Sequence, residues 1–251
     1  MKDFISQNNI TIKNGIVTYI DLLTNEEISK EFVVNLNSVH DKMCAVHYLK
    51  EYQSVRHIKN SEIETASIMP FAFAYYYFFV RHLQIPFPKE FINQYLTLFC
   101  YKKDNGKWAF KPEYNMTRNS DFEFDYTSLK ARILRSYNSF NREVELLVNL
   151  CRQDDIKIEY DLYKDLYNGV DVTIIYNNHK VGIAEYVNTE RSKNFKHRKN
   201  DIHRHEYSNI TMIDVMANFD DDNKNITCYG EVYCYDNKTV LDIKERIKNI
   251  V

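Results

Sequence analysis

The chain has 251 residues, 44% hydrophobic and 27% charged, with a formal net charge of -2, an ordinary balance for a globular protein able to bury a core. Near-neutral charge excludes a uniformly basic coat, so any contact with nucleic acid has to come from a local patch. The longest apolar run, IMPFAFAYYYFFV at 68–80, is too short to span a bilayer and carries three tyrosines, and MKDFISQNNITIK at the start lacks the apolar core of a signal peptide, so a cytoplasmic protein with no membrane partner is expected.

The 20 Tyr and 15 Phe stand against only 5 Gly and 4 Pro, which predicts long regular elements with few breaks. In ITIK-NG-IVTYIDL, Asn14 and Gly15 both accept positive φ and predict a hairpin. TNEE at 24–27 predicts a second reversal, into a strand EFVVNL, giving a small meander. Met43, Val46, Leu49, Tyr52 and Val55 recur at helical spacing and predict a helix from Ser38 to about His57. Helices are expected at roughly 61–83 and 88–102, the second introduced by Pro86 and Pro88, and DNGKW at 104–108 is a turn.

From about residue 127 the expected order is helix, helix, strand, strand, strand, helix, strand, strand, helix. The strands are IKIEY (156–160), VDVTIIY (170–176), KVGIAEYV (180–187), NITMIDVMAN (209–218) and ITCYGEVYCY (226–235). The turn NNH at 177–179 pairs its two neighbours antiparallel, and the segment 192–205 then crosses to the strand at 209–218, a parallel step. The amphipathic TVLDIKERIKNIV covers the sheet. The predicted class is α/β, with a β-meander and helical region over 1–125 and a mixed sheet flanked by helices over 126–251.

Acids stand out against this pattern. Asp171 lies between Val170 and Val172, and Glu185 follows Gly182, Ile183 and Ala184. A lone carboxylate among such neighbours costs several kcal/mol, of order, unless it is compensated. Alternation sets Asp171, Thr173 and Ile175 on one face, and Val181, Ile183, Glu185 and Val187 on one face of the next strand, and the short turn brings Asp171 and Glu185 together. In SFNREVELLVNLCRQ, helical spacing points Glu143 into the apolar face, with Arg142, Glu145, Asn149 and Arg152 turned away. Carboxylates on adjacent strands suit a hard divalent cation, which polarises a phosphate and activates water.

An acid-bearing helix, a G-x-D strand, a short turn, a second strand ending in an acid and then a helix resemble the core of the PD-(D/E)xK, or restriction-endonuclease-like, nuclease superfamily. The matching residues are Glu143, Gly169-Val170-Asp171 and Glu185-Tyr186-Val187, within roughly 128–235. The resemblance implies a metal-dependent DNA endonuclease in a restriction, transposition or mobile-element setting, with Mg²⁺ or Mn²⁺ held by Asp171 and Glu185 and with Glu143 as an auxiliary ligand or base. The family lysine two residues after the second acid is here Val187. Superfamily members supply it from a neighbouring helix, which makes Lys193 the first candidate, before Lys196 and Lys180.

RSKNFKHRKNDIHRH, 191–205, concentrates positive charge directly after Glu185. Arg191, Lys196, Arg198 and Lys199 are the expected DNA-backbone contacts. Arg132, Arg135 and Arg142 flank the acids from the helix, either against DNA or as a solvated face. His197, His203 and His205 lack the Cys or second His cluster of a metal site, FDDDN at 219–223 reads as a solvated turn, and five scattered cysteines read as buried free thiols. No phosphate-binding glycine loop and no nucleophile elbow occurs. Two rival functions fit the same residues. One is a DNA-binding protein that keeps the nuclease fold without the activity. The other is an interaction or immunity module that uses the aromatic N-terminal part for a partner protein or a second copy of itself.

Overall fold

Strands from both ends of the chain build one sheet. The computed structural model describes residues 1–115, 122–189 and 210–250. The basic stretch lies outside them, and with it Arg191, Lys193, Lys196, Arg198, Lys199, His197, His203 and His205.

A short helix α1 (Lys2–Gln7) leads into β1 (Thr11–Lys13) and β2 (Ile16–Asp21), joined at Asn14 and Gly15 with φ of 51° and 73°. The third strand, β3, is Glu26–Glu31 rather than EFVVNL. Asn25, at φ 58°, donates its N–H to the Asp21 carbonyl at 2.7 Å and closes the turn early, which leaves residues 32–35 as a connector. The Asn35 side chain then accepts the Asn37 N–H at 2.9 Å and starts α2 (Leu36–Cys44), followed by α3 (Tyr48–Gln53), so the helix expected over 38–57 is two pieces.

The next expected helix is also divided, into α4 (Ser61–Thr65) and α5 (Phe71–His82), because Pro70 disfavours helical backbone at the residue before it and Ala66 is extended. α6 (Pro88–Phe99) follows, with Glu90 accepting the Phe87 N–H at 2.7 Å, and then a small sheet of β4 (Cys100–Lys102), β5 (Trp108–Phe110) and β6 (Glu123–Phe124).

α7 (Tyr126–Cys151) is a single helix of 26 residues where two were expected. Its polar middle, SYNSFN, contains no Gly or Pro to break it. After β7 (Lys157–Asp161) comes α8 (Leu162–Asn168), which the strand-rich reading of this region passed over; Asp161 caps it, and Gly169 ends it at φ 67°. β8 (Val172–Tyr176) and β9 (His179–Val187) form a hairpin through Asn177 and Asn178, at φ 47° and 66°. β10 (Thr211–Ala217) pairs parallel with β9, as the crossing predicts. ITCYGEVYCY is not one strand but a separate hairpin, β11 (Ile226–Tyr229) and β12 (Val232–Tyr235), turned at Gly230. The last helix is α9 (Asn237–Ile250), burying Val240, Ile243 and Ile247 at helical spacing.

The main sheet has seven strands in the order β10-β9-β8-β7-β1-β2-β3. Strand pairing crosses residue 125: β1 lies antiparallel to β7, with Thr11 opposite Asp161. The architecture is therefore mixed α/β, with α7 against β7 and α5 against β2 and α7. The aromatic run lies in this core: Tyr75, Tyr76 and Tyr77 are at most 2% exposed. Two of their hydroxyls donate inside the core, Tyr75 to Asn141 Oδ1 at 2.8 Å and Tyr77 to Asp21 Oδ1 at 2.9 Å. Among the described residues no helix is long and apolar enough to cross a membrane.

The outer rim of β10 is occupied by side chains. Arg246 donates to the Asp214 carbonyl at 3.0 Å and the Asn225 side-chain amide to the Met216 carbonyl at 2.9 Å, and Asn225 Oδ1 accepts the Asn218 N–H at 2.8 Å.

Candidate active site

Gly169, in the left-handed conformation, turns the chain out of α8 and delivers Asp171 to the mouth of the β8–β9 hairpin. The Asp171 N–H donates to the Ile183 carbonyl at 2.9 Å, and Asp171 Oδ2 accepts the N–H of Glu185. In strict register Val172 faces Ile183, so Asp171 falls opposite Ala184, one residue from Glu185. The acids meet because Asp171 sits in the bend before β8, where alternation no longer fixes its direction.

Glu185 is the unusual group. Both of its carboxylate oxygens are buried, and neither has a hydrogen-bond partner among the described residues. Burial pushes its carboxyl well above the usual range, and the carboxylates of Glu143 and Asp171 push it the same way, while the Arg142 guanidinium opposes them. Glu143 reaches the same region from α7 and accepts a long hydrogen bond from the Tyr76 hydroxyl at 3.4 Å. The Tyr76 ring stacks on Tyr160, centroids 4.7 Å apart, and the Tyr160 hydroxyl donates to Asp165 Oδ2 at 3.1 Å. Burial raises the Tyr76 hydroxyl well above its ordinary value, and Glu143, Asp165, Glu185 and Asp171 all add to that rise, so one buried tyrosine senses all four acids.

Asp165 is the acid that sequence reasoning missed, because it belongs to the overlooked helix α8. DLYKDLYNG did carry the signal: an aspartate cap at its start and a glycine stop at its end.

The helix face also differs from expectation. Arg142, Glu145 and Asn149 were to point away from the apolar side, yet they are 4%, 1% and 8% exposed. α7 is covered on a second side by α2 and β12, so its polar stripe is buried as well. Glu145 Oε1 pairs with His40 Nε2 at 3.0 Å, and His40 stacks on Tyr229. Arg132 and Arg135 are engaged elsewhere: Arg132 donates to the Ile63 carbonyl and Arg135 to the Glu64 carboxylate, fastening α7 to the α4 region. Lys180 pairs with Glu159 at 2.9 Å at the far end of the hairpin, and Val187 leaves no cation at the expected lysine position. All five cysteines are free; Cys100 and Cys234 are buried, whereas Cys44, Cys151 and Cys228 are exposed rather than buried.

Among the described residues no three or more Asp, Glu, His or Cys side chains are grouped to hold a metal ion. Mg²⁺ needs no such cage, since one or two carboxylates with water and substrate phosphate suffice. Asp171 and Glu185 are carboxylates of the kind such a site uses, and the Glu185 carboxylate, without a hydrogen-bond partner among the described residues, is compatible with a cation in chemistry and in charge. Comparison with known proteins returns no match: no family model fits the chain, and no curated protein or solved structure is significantly similar to it.

Proposed function

We propose that the chain is a metal-dependent DNA endonuclease of the restriction-endonuclease-like type. The observation that carries the reading is the buried Glu185 carboxylate, which has no hydrogen-bond partner among the described residues yet touches Asp171 through its backbone. A structural acid is hydrogen-bonded to an arginine or a hydroxyl; this one has no such bond among the described residues and lies among other acids, with the Arg142 charge alone opposing them. The order α7, β7, bend with Asp171, hairpin β8–β9 and parallel β10 resembles the element order of such nucleases, with α8 as an addition between β7 and the bend.

Asp171 and Glu185 would hold Mg²⁺ or Mn²⁺, which when bound polarises the scissile phosphate and lowers the pKa of a water. Glu143, restrained by the Tyr76 hydroxyl, would orient that water or accept its proton. Lys193 would supply the cation missing at Val187, and Arg191, Lys196, Arg198 and Lys199 would hold the DNA backbone. Free cysteines suit a reducing cytoplasm, where DNA is at hand.

The test is cleavage of plasmid and linear DNA with and without Mg²⁺ or Mn²⁺. Metal-dependent cutting that Asp171→Asn lowers by about a thousandfold or more is the expected result, the scale on which loss of a catalytic electrostatic group acts. Undiminished cutting by that variant removes the assignment.

One observation favours a second reading, a DNA-binding protein that keeps the fold without the activity: the lysine position is Val187. That protein would bind DNA with a steep salt dependence and cut none at any metal concentration.

A further inference from the structure

Along α7, Asn138, Arg142 and Glu145 follow one another at spacings of four and three residues and share a face. Each carries a buried atom with no partner among the described residues: Asn138 Oδ1, Arg142 Nε and Glu145 Oε2. Arg142 is the cation of this stripe. It is 4% exposed; one terminal nitrogen donates to Ser139 Oγ at 3.2 Å, and its guanidinium stands over the Tyr235 ring, 5.8 Å from the centroid. The Tyr235 hydroxyl in turn donates to the Val215 carbonyl at 3.2 Å, and Val215 is the strand partner of Glu185.

Arg142 Nε and both Glu185 oxygens lack a partner among the described residues, the guanidinium stands over the Tyr235 ring, and the charges of Arg142 and Glu185 act both on Tyr235 and on one another. Leaving either a buried donor or a buried carboxylate unsatisfied is costly. Water fills hydrogen bonds but supplies no charge. A ligand that brings a divalent cation to the carboxylate and an anionic oxygen to the guanidinium satisfies both groups, and a cation-bound phosphate is such a ligand.

We infer that Arg142 is the phosphate-contacting cation of this centre, its buried Nε–H donating to a phosphate oxygen while Glu185 faces the divalent ion. The identity of the phosphate as a phosphodiester rests on the nuclease reading; the contact itself does not. Arg142 then performs on α7 the anion-holding task for which β9 offers only Val187.

Calorimetric titration of inorganic phosphate, with and without Mg²⁺, into the full chain tests the contact. Binding that requires Mg²⁺, weakens about tenfold or more in Arg142→Gln and partly returns in Arg142→Lys is expected, the loss of one charge-assisted hydrogen bond. The side-chain Nε–H resonance of Arg142 in the unsubstituted protein is expected to shift when phosphate and Mg²⁺ are added together, a readout that needs no folded variant. No phosphate binding, a resonance that stays still, or wild-type affinity in Arg142→Gln overturns the inference.

DNA cleavage, run in parallel, separates the two ideas. Cutting by Arg142→Gln at the wild-type rate sinks the role of Arg142 and leaves the nuclease standing. Phosphate binding through Arg142 without any DNA cleavage supports the contact and sinks the nuclease.

Discussion

At Glu185 the requirements of folding and of chemistry diverge. Its carboxylate is buried with no hydrogen-bond partner among the described residues, and three acids push its pKa further up. Glu185→Gln keeps the shape and removes the charge, so it is expected to stabilise the metal-free protein by on the order of 1 kcal/mol at neutral pH. The same change is expected to abolish the rise in Tm on adding Mg²⁺. Thermal melts of both proteins with Mg²⁺ or with a chelator check this; a variant less stable than wild type in the chelator would mean that the acid is structurally paired.

Asp21 is the opposite kind of acid. It accepts the Leu23 N–H and the Tyr77 hydroxyl, each at 2.9 Å, and Arg81 approaches to 3.6 Å. The backbone hydrogen bond from Leu23, then Tyr77 and Arg81, lower its pKa despite partial burial. A depressed folded pKa contributes stability above the unfolded value of about 4, and that contribution is lost as pH falls through the folded value. Wild type is therefore expected to exceed Asp21→Asn in stability at pH 7 and to lose that margin below about pH 4. Urea melts at both pH values decide; a margin that does not change with pH refutes the assignment.

At the scale of elements, two glycines make contrasting predictions. Gly230, at φ 59°, turns β11 into β12 against the end of α2, and a Cβ there would lie 2.8 Å from Cys44 Cα and 2.9 Å from the Met43 carbonyl oxygen. Backbone atoms cannot step aside, so Gly230→Ala is expected to cost about 1–3 kcal/mol. A Cβ on Gly182 would instead meet the end of the Met212 side chain, which is 39% exposed and can swing away. Gly182→Ala is expected to cost less than about 1 kcal/mol. Denaturant midpoints that reverse this order would contradict the packing.

Legibility followed the same division. The hairpins at Asn14-Gly15 and Asn177-Asn178 and the parallel step into β10 were readable, because turn chemistry and strand patterning are local. Alternation also led to the expectation that Asp171 meets Glu185, but the contact comes from the bend before β8, where alternation does not apply. The buried sides of Arg142 and Glu145 were not, since helical spacing reveals one apolar face and cannot show that β12 and α2 cover another. Asp165 was lost with its short helix, and the division of ITCYGEVYCY hung on Gly230 alone.

At the scale of the whole molecule, the sheet joins what composition seemed to separate. β1 supplies the partner of β7, and the same core takes Ile5, Tyr75, Leu146 and Ile183. The segment 126–251 expressed alone would expose the β7 edge and the apolar side of α7, so it is expected to show no cooperative unfolding, whereas the full chain melts in one transition. Circular dichroism of both distinguishes them; a sharply melting fragment would show that the C-terminal part stands by itself.

The side chains seated along β10 have a wider effect. With Arg246 and Asn225 holding the Asp214 and Met216 carbonyls, those positions of the border are closed to an incoming strand. Lengthening of the sheet between copies would have to begin at β3, where Glu26, Glu27 and Glu31 are exposed and repel a second identical edge. Amyloid-type stacking is thus obstructed at one margin by plugs and at the other by like charge, and crowded solutions of this protein are expected to stay free of fibrils.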